Sequence, residues 1–337
     1  MNEQNPPIPP IEAAPLPVYK NRSTGLVIFG ILTILLGCLA ALFVVVMLGQ
    51  MVMIKPANTP AVSVATILPA ISIYVMLAVA LIWLGIGSIQ ARRWARALLL
   101  IFSWSWLVMG IIMTVAMSLI MPKVMTSLAA NGDPNTNHGL PPAAITGIIV
   151  FMFIFFTVFF VLIPAVWTFF YNSRHVKSTC EARDPVTRWT DACPLPVLGF
   201  CLWLLLAVPM MLIMPVTGHA VIPFFGMFLT GLPGALFCLA VAAIWGYAAW
   251  WLYHLDVRGW WLILIALLMF TASGLLTYAH HDIVEMYQLM GYPQAQIDQI
   301  QKSGLLTGNR MSWLMSFSIL PFLVYLLFIK KYFQNKS

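Results

Sequence analysis

Long apolar stretches alternate with short polar breaks along this chain. The stretches near 25–49, 66–90, 96–120, 144–170, 195–216, 222–252, 259–279 and 310–329 each predict a transmembrane helix. A bilayer core takes roughly 20 apolar residues per helical span. Hydrocarbon offers the backbone no hydrogen-bond partner, so a span must be a helix or part of a closed barrel. Runs beyond about 20 residues without apolar–polar alternation exclude the barrel. Pro233, inside the long run 222–252, predicts a kink or an interfacial first turn there. The tail PPIPPIEAAPLP reads as a solvated, polyproline-like segment.

The expected fold class is all-α: a polytopic membrane protein of about eight transmembrane helices, arranged as two tandem parallel four-helix units. The expected domains are a proline-rich cytoplasmic tail (1–22), a first unit (23–171), a cytoplasmic linker (172–194) and a second unit (195–337). The duplication is read from rhythm. RRWARALLL at 92–100 precedes the third run and RGWWLILI at 258–265 precedes the seventh, 166 residues apart (Arg92 to Arg258). In both halves a long insert, 121–143 and 280–309, separates the third and fourth runs. Four helices is an even number, so both units take the same orientation.

Composition agrees with the pattern. Hydrophobic residues make up 61% of the chain and charged residues 8%, against about 25% charged in a soluble domain. LLGC at Leu35–Cys38 resembles a lipoprotein cleavage box, but the apolar run continues past it, so a retained helix is expected.

Charge sets the expected topology. With the N-terminus inside, thirteen of the seventeen basic residues face the cytoplasm, and only Lys55, Lys123, Lys302 and Arg310 face out. Six acids lie inside, so the whole formal charge of +7 faces the cytoplasm and the outside is neutral. Both termini are then cytoplasmic, in a cell membrane. The expected partners are the bilayer itself, anionic lipids at the cytoplasmic face and a second copy of the chain. No folded basic domain exists to grip nucleic acid.

No ionisable residue lies deep within an apolar run, which argues against a proton-coupled pump or voltage sensor. Candidate chemistry falls at the outer ends. His280, His281, Asp282 and Glu285 follow the seventh run. If the helix continues, His281 and Glu285 share a face, a spacing that suits a divalent metal. Methionines recur every four residues through Met113, Met117 and Met121, and Met210 and Met214 end the fifth run. Thioethers at that spacing suit Cu(I) and resemble the methionine pair of high-affinity copper transporters over those few residues alone. Methionine also simply fills irregular gaps. Cys180, Cys193 and His175 in the linker do not follow a standard zinc spacing. Ser273 reads as a small packing residue. In the second insert, Ile283, Met286, Tyr287 and Met290 follow a helical stripe and predict a short amphipathic helix.

The functional expectation is a non-enzymatic membrane protein, either a small transporter or permeation protein or a scaffold or sensor. Any site would lie on the outer side between the two units. The alternative is a metal-handling protein or metal-dependent enzyme using the outer His, Glu and Met residues.

Overall fold

The computed structural model describes residues 20–53, 64–130, 142–217, 220–292 and 308–333, with Gln294, Ile297, Asp298 and Gln301; side chains at 50–53, 64–70, 119–130, 142–145, 308–315 and 318 are excepted. The described chain is an all-α, polytopic membrane protein. Its helices are α1 (Ser23–Met53), α2 (Val64–Ile89), α3 (Arg93–Ala130), α4 (Pro142–Thr157), α5 (Ile163–Asn172), α6 (Arg174–Arg183), α7 (Leu195–Val216), α8 (Gly231–Tyr253), α9 (Val257–His280), α10 (Ile283–Leu289) and α11 (Gly308–Lys330). A π-helical turn, Val158–Leu162, joins α4 to α5 without a break. Among the described residues, seven spans are long and apolar enough to cross a membrane: α1, α2, α3, the joined α4–α5, α7, α8 and α9. The described apolar part of α11 is Ile319–Lys330. Large apolar side chains such as Leu35, Val45, Val79, Phe151 and Phe169 point outward. A water-soluble surface does not carry this much apolar area, so the solvent here is lipid.

Two expected bounds differ: α3 runs on to Ala130, into the insert expected from 121, and the run 222–252 is divided. The run 222–252 is not one helix. Ile222–Phe224 and Met227–Leu229 form an antiparallel hairpin, the first secondary structure after α7, and α8 begins only at Gly231. Phe225 and Gly226 both have positive φ, 40° and 93°. Two such residues in a row make the turn whose twist matches a two-stranded ribbon. Pro233 falls in the first turn of α8, where its missing N–H costs nothing, as one of the two expected placements had it.

Helices pack in the same pairs in each half: α1 on α2 as α7 on α8, and α3 on α5 as α9 on α11. The α1–α2 seam is built from small residues. A Cβ added to Gly30 would lie 2.8 Å from the Gly85 carbonyl oxygen, and one added to Gly85 would lie 2.7 Å from the Gly30 carbonyl oxygen. The two backbones therefore touch, which only glycine permits. Each half has its own buried cluster. Leu26, Leu99, Trp167 and Tyr171 lie in one, and Leu198, Leu252, Trp260 and Leu326 in the other.

The α2–α3 and α8–α9 turns share one hydrogen-bond register. Ala91 (φ 54°) and Leu255 (φ 58°) both take the left-handed conformation. The N–H of Ala91 donates to Ser88 and that of Arg92 to Gly87, just as Leu255 donates to Leu252 and Asp256 to Trp251. This pattern satisfies the last carbonyls of a helix. Ala91 and Leu255 are 164 residues apart, two fewer than the spacing of the Arg–Trp motifs. The same register matches the ends of α2 and α8 (Ile89, Tyr253) and the starts of α3 and α9 (Arg93, Val257). It also matches a close contact. Gly87 faces Ala95 in the first turn, and Trp251 faces Gly259 in the second, with the glycine on the opposite side. It pairs Arg96 with Trp260. The Arg96 Nε–H donates to the Tyr171 carbonyl at 3.1 Å, and the Trp260 Nε1–H donates to the Leu326 carbonyl at 2.8 Å.

Candidate functional site

Polar side chains converge at two places, at opposite ends of the helices. The first is the arginine-rich end, where the chain between α5 and α7 is folded. Helix α6 buries Val176, Thr179 and Cys180, a stripe at i, i+3 and i+4. Its polar groups reach the start of α1, where first-turn N–H groups lack intrahelical partners. The Arg22 N–H donates to Thr179 Oγ1 at 3.2 Å, and the Lys20 N–H donates to His175 Nδ1 at 3.4 Å. Burial pushes the Cys180 thiol up to about 11, so it stays protonated at neutral pH.

Asp184, at the C-cap of α6, is the most buried charge of this end, with a side chain 3% exposed. Its Oδ2 accepts from the backbone N–H of Arg93 at 3.4 Å and so caps α3. Arg188 donates to both carboxylate oxygens, at 3.3 and 3.4 Å. Arg92 lies 3.9 Å away. Burial alone would raise the pKa of this carboxyl. The hydrogen bonds from Arg188 and Arg93, with the charges of Arg188 and Arg92, outweigh burial and hold it below the usual carboxylate range. In the second half the cap is local, where Asp256 accepts from the Arg258 N–H at 2.9 Å.

The two halves touch at this end. A Cβ on Gly199 of α7 would lie 3.2 Å from Ile101 of α3, and the Trp203 indole donates to Ser105 Oγ at 2.8 Å. The Tyr253 hydroxyl of α8 donates to the carbonyl of Trp189, in the short 3-10 turn Trp189–Asp191. Arg93 of α3 reaches Asp191 of that turn at 3.6 Å and Glu181 of α6 at 3.8 Å.

The second place is the far end of α9, where the hairpin is clasped to the helix. Ser273, Thr277 and His281 stand one helical turn apart. Ser273 Oγ accepts from the Phe225 N–H at 2.9 Å and donates to the Pro223 carbonyl at 3.0 Å. Thr277 Oγ1 accepts from the Gly226 N–H at 3.0 Å. Ser273 is therefore a hairpin anchor as well as a small residue. His281 places Nε2 3.0 Å from the Gly226 carbonyl and Nδ1 2.7 Å from Glu285 Oε2. Both ring nitrogens face acceptors, so the imidazolium satisfies both. The Glu285 hydrogen bond accordingly raises the histidine pKa, against a smaller opposing effect of desolvation.

The structure brings two of the four expected metal residues together. His281 and Glu285 meet, but not on a continuous helix. The chain is extended at His281 (φ −128°, ψ 142°), and Asp282 is the N-cap of the new helix α10. The exposed His280 turns its Nδ1 back to the Leu276 carbonyl at 2.9 Å. Among the described residues, no three His, Cys, Asp or Glu side chains are placed to share an ion. Of the methionines, Met113 and Met210 are exposed on the lipid-facing surface, Met117 and Met214 are half-buried, and the Met121 side chain lies outside the described residues. The amphipathic stripe from Ile283 does form a helix, α10, with Ile283 buried.

Asp184, Thr190 and the role of Arg96 were not visible in the sequence. The α6 stripe was a usable signal for a folded linker. Comparison with known proteins identifies no relative: no family model matches the chain, and no curated protein or solved structure is significantly similar to it.

Proposed function

We propose that this chain is a non-enzymatic scaffold or sensor of the cell membrane. It has eight spans in two tandem, parallel four-helix units, with both termini and the arginine-rich junction in the cytoplasm. The observation that carries the reading is the junction. The polar groups there are tied to one another and to backbone N–H groups across α3, α6 and the Trp189–Asp191 turn. They form a platform at one bilayer surface, not a pair of groups poised about a reacting atom. The shared register of the α2–α3 and α8–α9 turns supports the duplication. An even helix count per unit gives both the same orientation. The excess of arginine and lysine at this end supports its cytoplasmic placement and an attraction for anionic lipid.

Two measurements test the proposal. Reporters fused before Met1 and after Ser337 should both report the cytoplasm, and reporters on opposite faces would remove the eight-span scheme. Liposomes holding the purified chain should take up ions, sugars and metal ions no faster than empty liposomes. Saturable uptake of any of these would replace the scaffold with a transporter.

A further inference from the structure

The junction holds an open-sided cavity of about 220 Å³ between α3, α6, the Trp189–Asp191 turn and the start of α7. Its charged lining is Arg93, Arg96, Lys177, Glu181 and Asp191. The two carboxylates already have partners. Arg93 spans both, and Lys177 lies 3.8 Å from Glu181. Arg96 forms no ion pair among the described residues, so three cations over two acids leave the lining one positive charge in excess.

Arg96 also carries donors that packing does not need. Its Nε–H does the work that the single indole N–H of Trp260 does at the equivalent position of the second half. The terminal nitrogens of its guanidinium hydrogen-bond to no other described residue. Such a planar fork fits two oxygens of one phosphate. Thr190 supplies an independent sign. It is 1% exposed, lines the same cavity, and its Oγ1 has no hydrogen-bond partner among the described residues. Buried hydroxyls are nearly always bonded. Leu195, which begins α7, also lines the cavity, so one positive helix end lies beside it, that of α3 being capped by Asp184.

The geometry points to a binding site for a phosphate group, gripped by the Arg96 guanidinium with Lys177 at the mouth, the Thr190 hydroxyl turning in from the buried wall to complete the grip. The inference rests on the junction being the working centre of the protein. The phosphate could belong to a lipid headgroup or be free in solution.

The test uses the full-length chain, purified in detergent and stripped of lipid, with unfolding followed by tryptophan fluorescence. One arm compares inorganic phosphate with chloride at equal ionic strength. The other compares phosphatidylglycerol with diacylglycerol in mixed micelles. Stabilisation by phosphate alone identifies a soluble ligand, stabilisation by phosphatidylglycerol alone identifies a headgroup, and both together identify a site that reads phosphate from either source. In each case Arg96→Lys and Thr190→Val should weaken the half-saturating concentration by about tenfold, the scale of a lost charge-assisted hydrogen bond. Arg174→Ala, outside the cavity, should not. Thr190→Val removes a hydroxyl without a protein partner, so it decides the matter if the arginine variant fails to fold. No shift with either probe, or a shift unchanged in both variants, overturns the inference. Topology and liposome flux are read separately, so a correctly oriented chain that ignores phosphate loses this inference alone.

Discussion

Asp184 caps the backbone N–H of Arg93, a residue 91 positions earlier in the chain. One residue thereby serves both helices: its carboxylate caps α3 and holds Arg188, and its backbone N–H closes α6 on the Cys180 carbonyl. Its removal leaves cations at a polar junction and an uncapped helix. Arg92 and Arg188 are each more than a third exposed, so the loss is discounted from the figure for a fully buried pair. Asp184→Ala should cost about 2 kcal/mol. Asp184→Asn keeps an acceptor for the cap and should cost about half as much. Because the folded pKa is lowered, the carboxylate's contribution is full above the unfolded value of about 3.9 and is lost as pH falls through the lowered one. Melting curves of parent and variants from pH 7 to pH 3 check both the size and the window.

The hairpin clasp has the opposite pH dependence. The His281 pKa is raised, so its contribution is full below the unfolded value of about 6.5 and is lost as pH rises through the raised one. The charged groups that bear on the ring are Glu285, from α10, and the Gly226 carbonyl dipole of the hairpin, with the Phe228 ring 5.5 Å away. Hydrogen exchange at residues 222–229 should quicken, beyond its intrinsic pH dependence, as pH rises through that range. In Glu285→Gln the transition should move down towards the ordinary histidine value. In His281→Ala it should vanish. Added divalent metal should leave the parent's exchange unchanged, since both ring nitrogens are engaged.

Backbone contact between α1 and α2 makes Gly30 and Gly85 intolerant of a side chain. A methyl at either would meet backbone oxygen below 3.0 Å. Gly30→Ala and Gly85→Ala should each cost about 1–3 kcal/mol, the usual range for an overpacked contact. Gly147 has open space around it, so Gly147→Ala should be neutral. Thermal melts of the three variants give the comparison.

The exchanged glycines of the two turns allow a compensation test. Gly87→Ala alone would put its Cβ 2.6 Å from that of Ala95 and should lower the melting temperature. Adding Ala95→Gly recreates the arrangement of Trp251 and Gly259. The double variant should recover part of the loss, because the Trp94 ring still lies 2.8 Å from the new methyl. A double variant no better than the single one would remove the structural equivalence of the two turns.

Much of the membrane architecture was legible in the sequence. The fifth run, 195–216, coincides with α7, and the starts of the other spans fall within a few residues of those read from composition, except at α8. The hairpin at 222–229 was not legible, because its residues are as apolar as a span and only the paired positive φ values at Phe225 and Gly226 separate the two. In the sequence Arg96 is one basic residue of the motif RRWARALLL. The Arg–Trp motif aligned Trp94 with Trp260, whereas the turns align Arg96 there. The two offsets differ by two residues, 166 for the motifs and 164 for the turn hydrogen bonds.

The sequence alone determined that this is a helical membrane protein and roughly where its spans begin and end. Partition into lipid depends on the length and polarity of a local run, and a run carries that information by itself. Tertiary structure decided what the polar residues do. Asp184 meets Arg93, His281 meets Gly226, and Arg96 and Thr190 face one cavity only because distant segments are folded together. Hydrogen-bond partners are chosen by proximity in space, which a linear pattern of residue types does not encode.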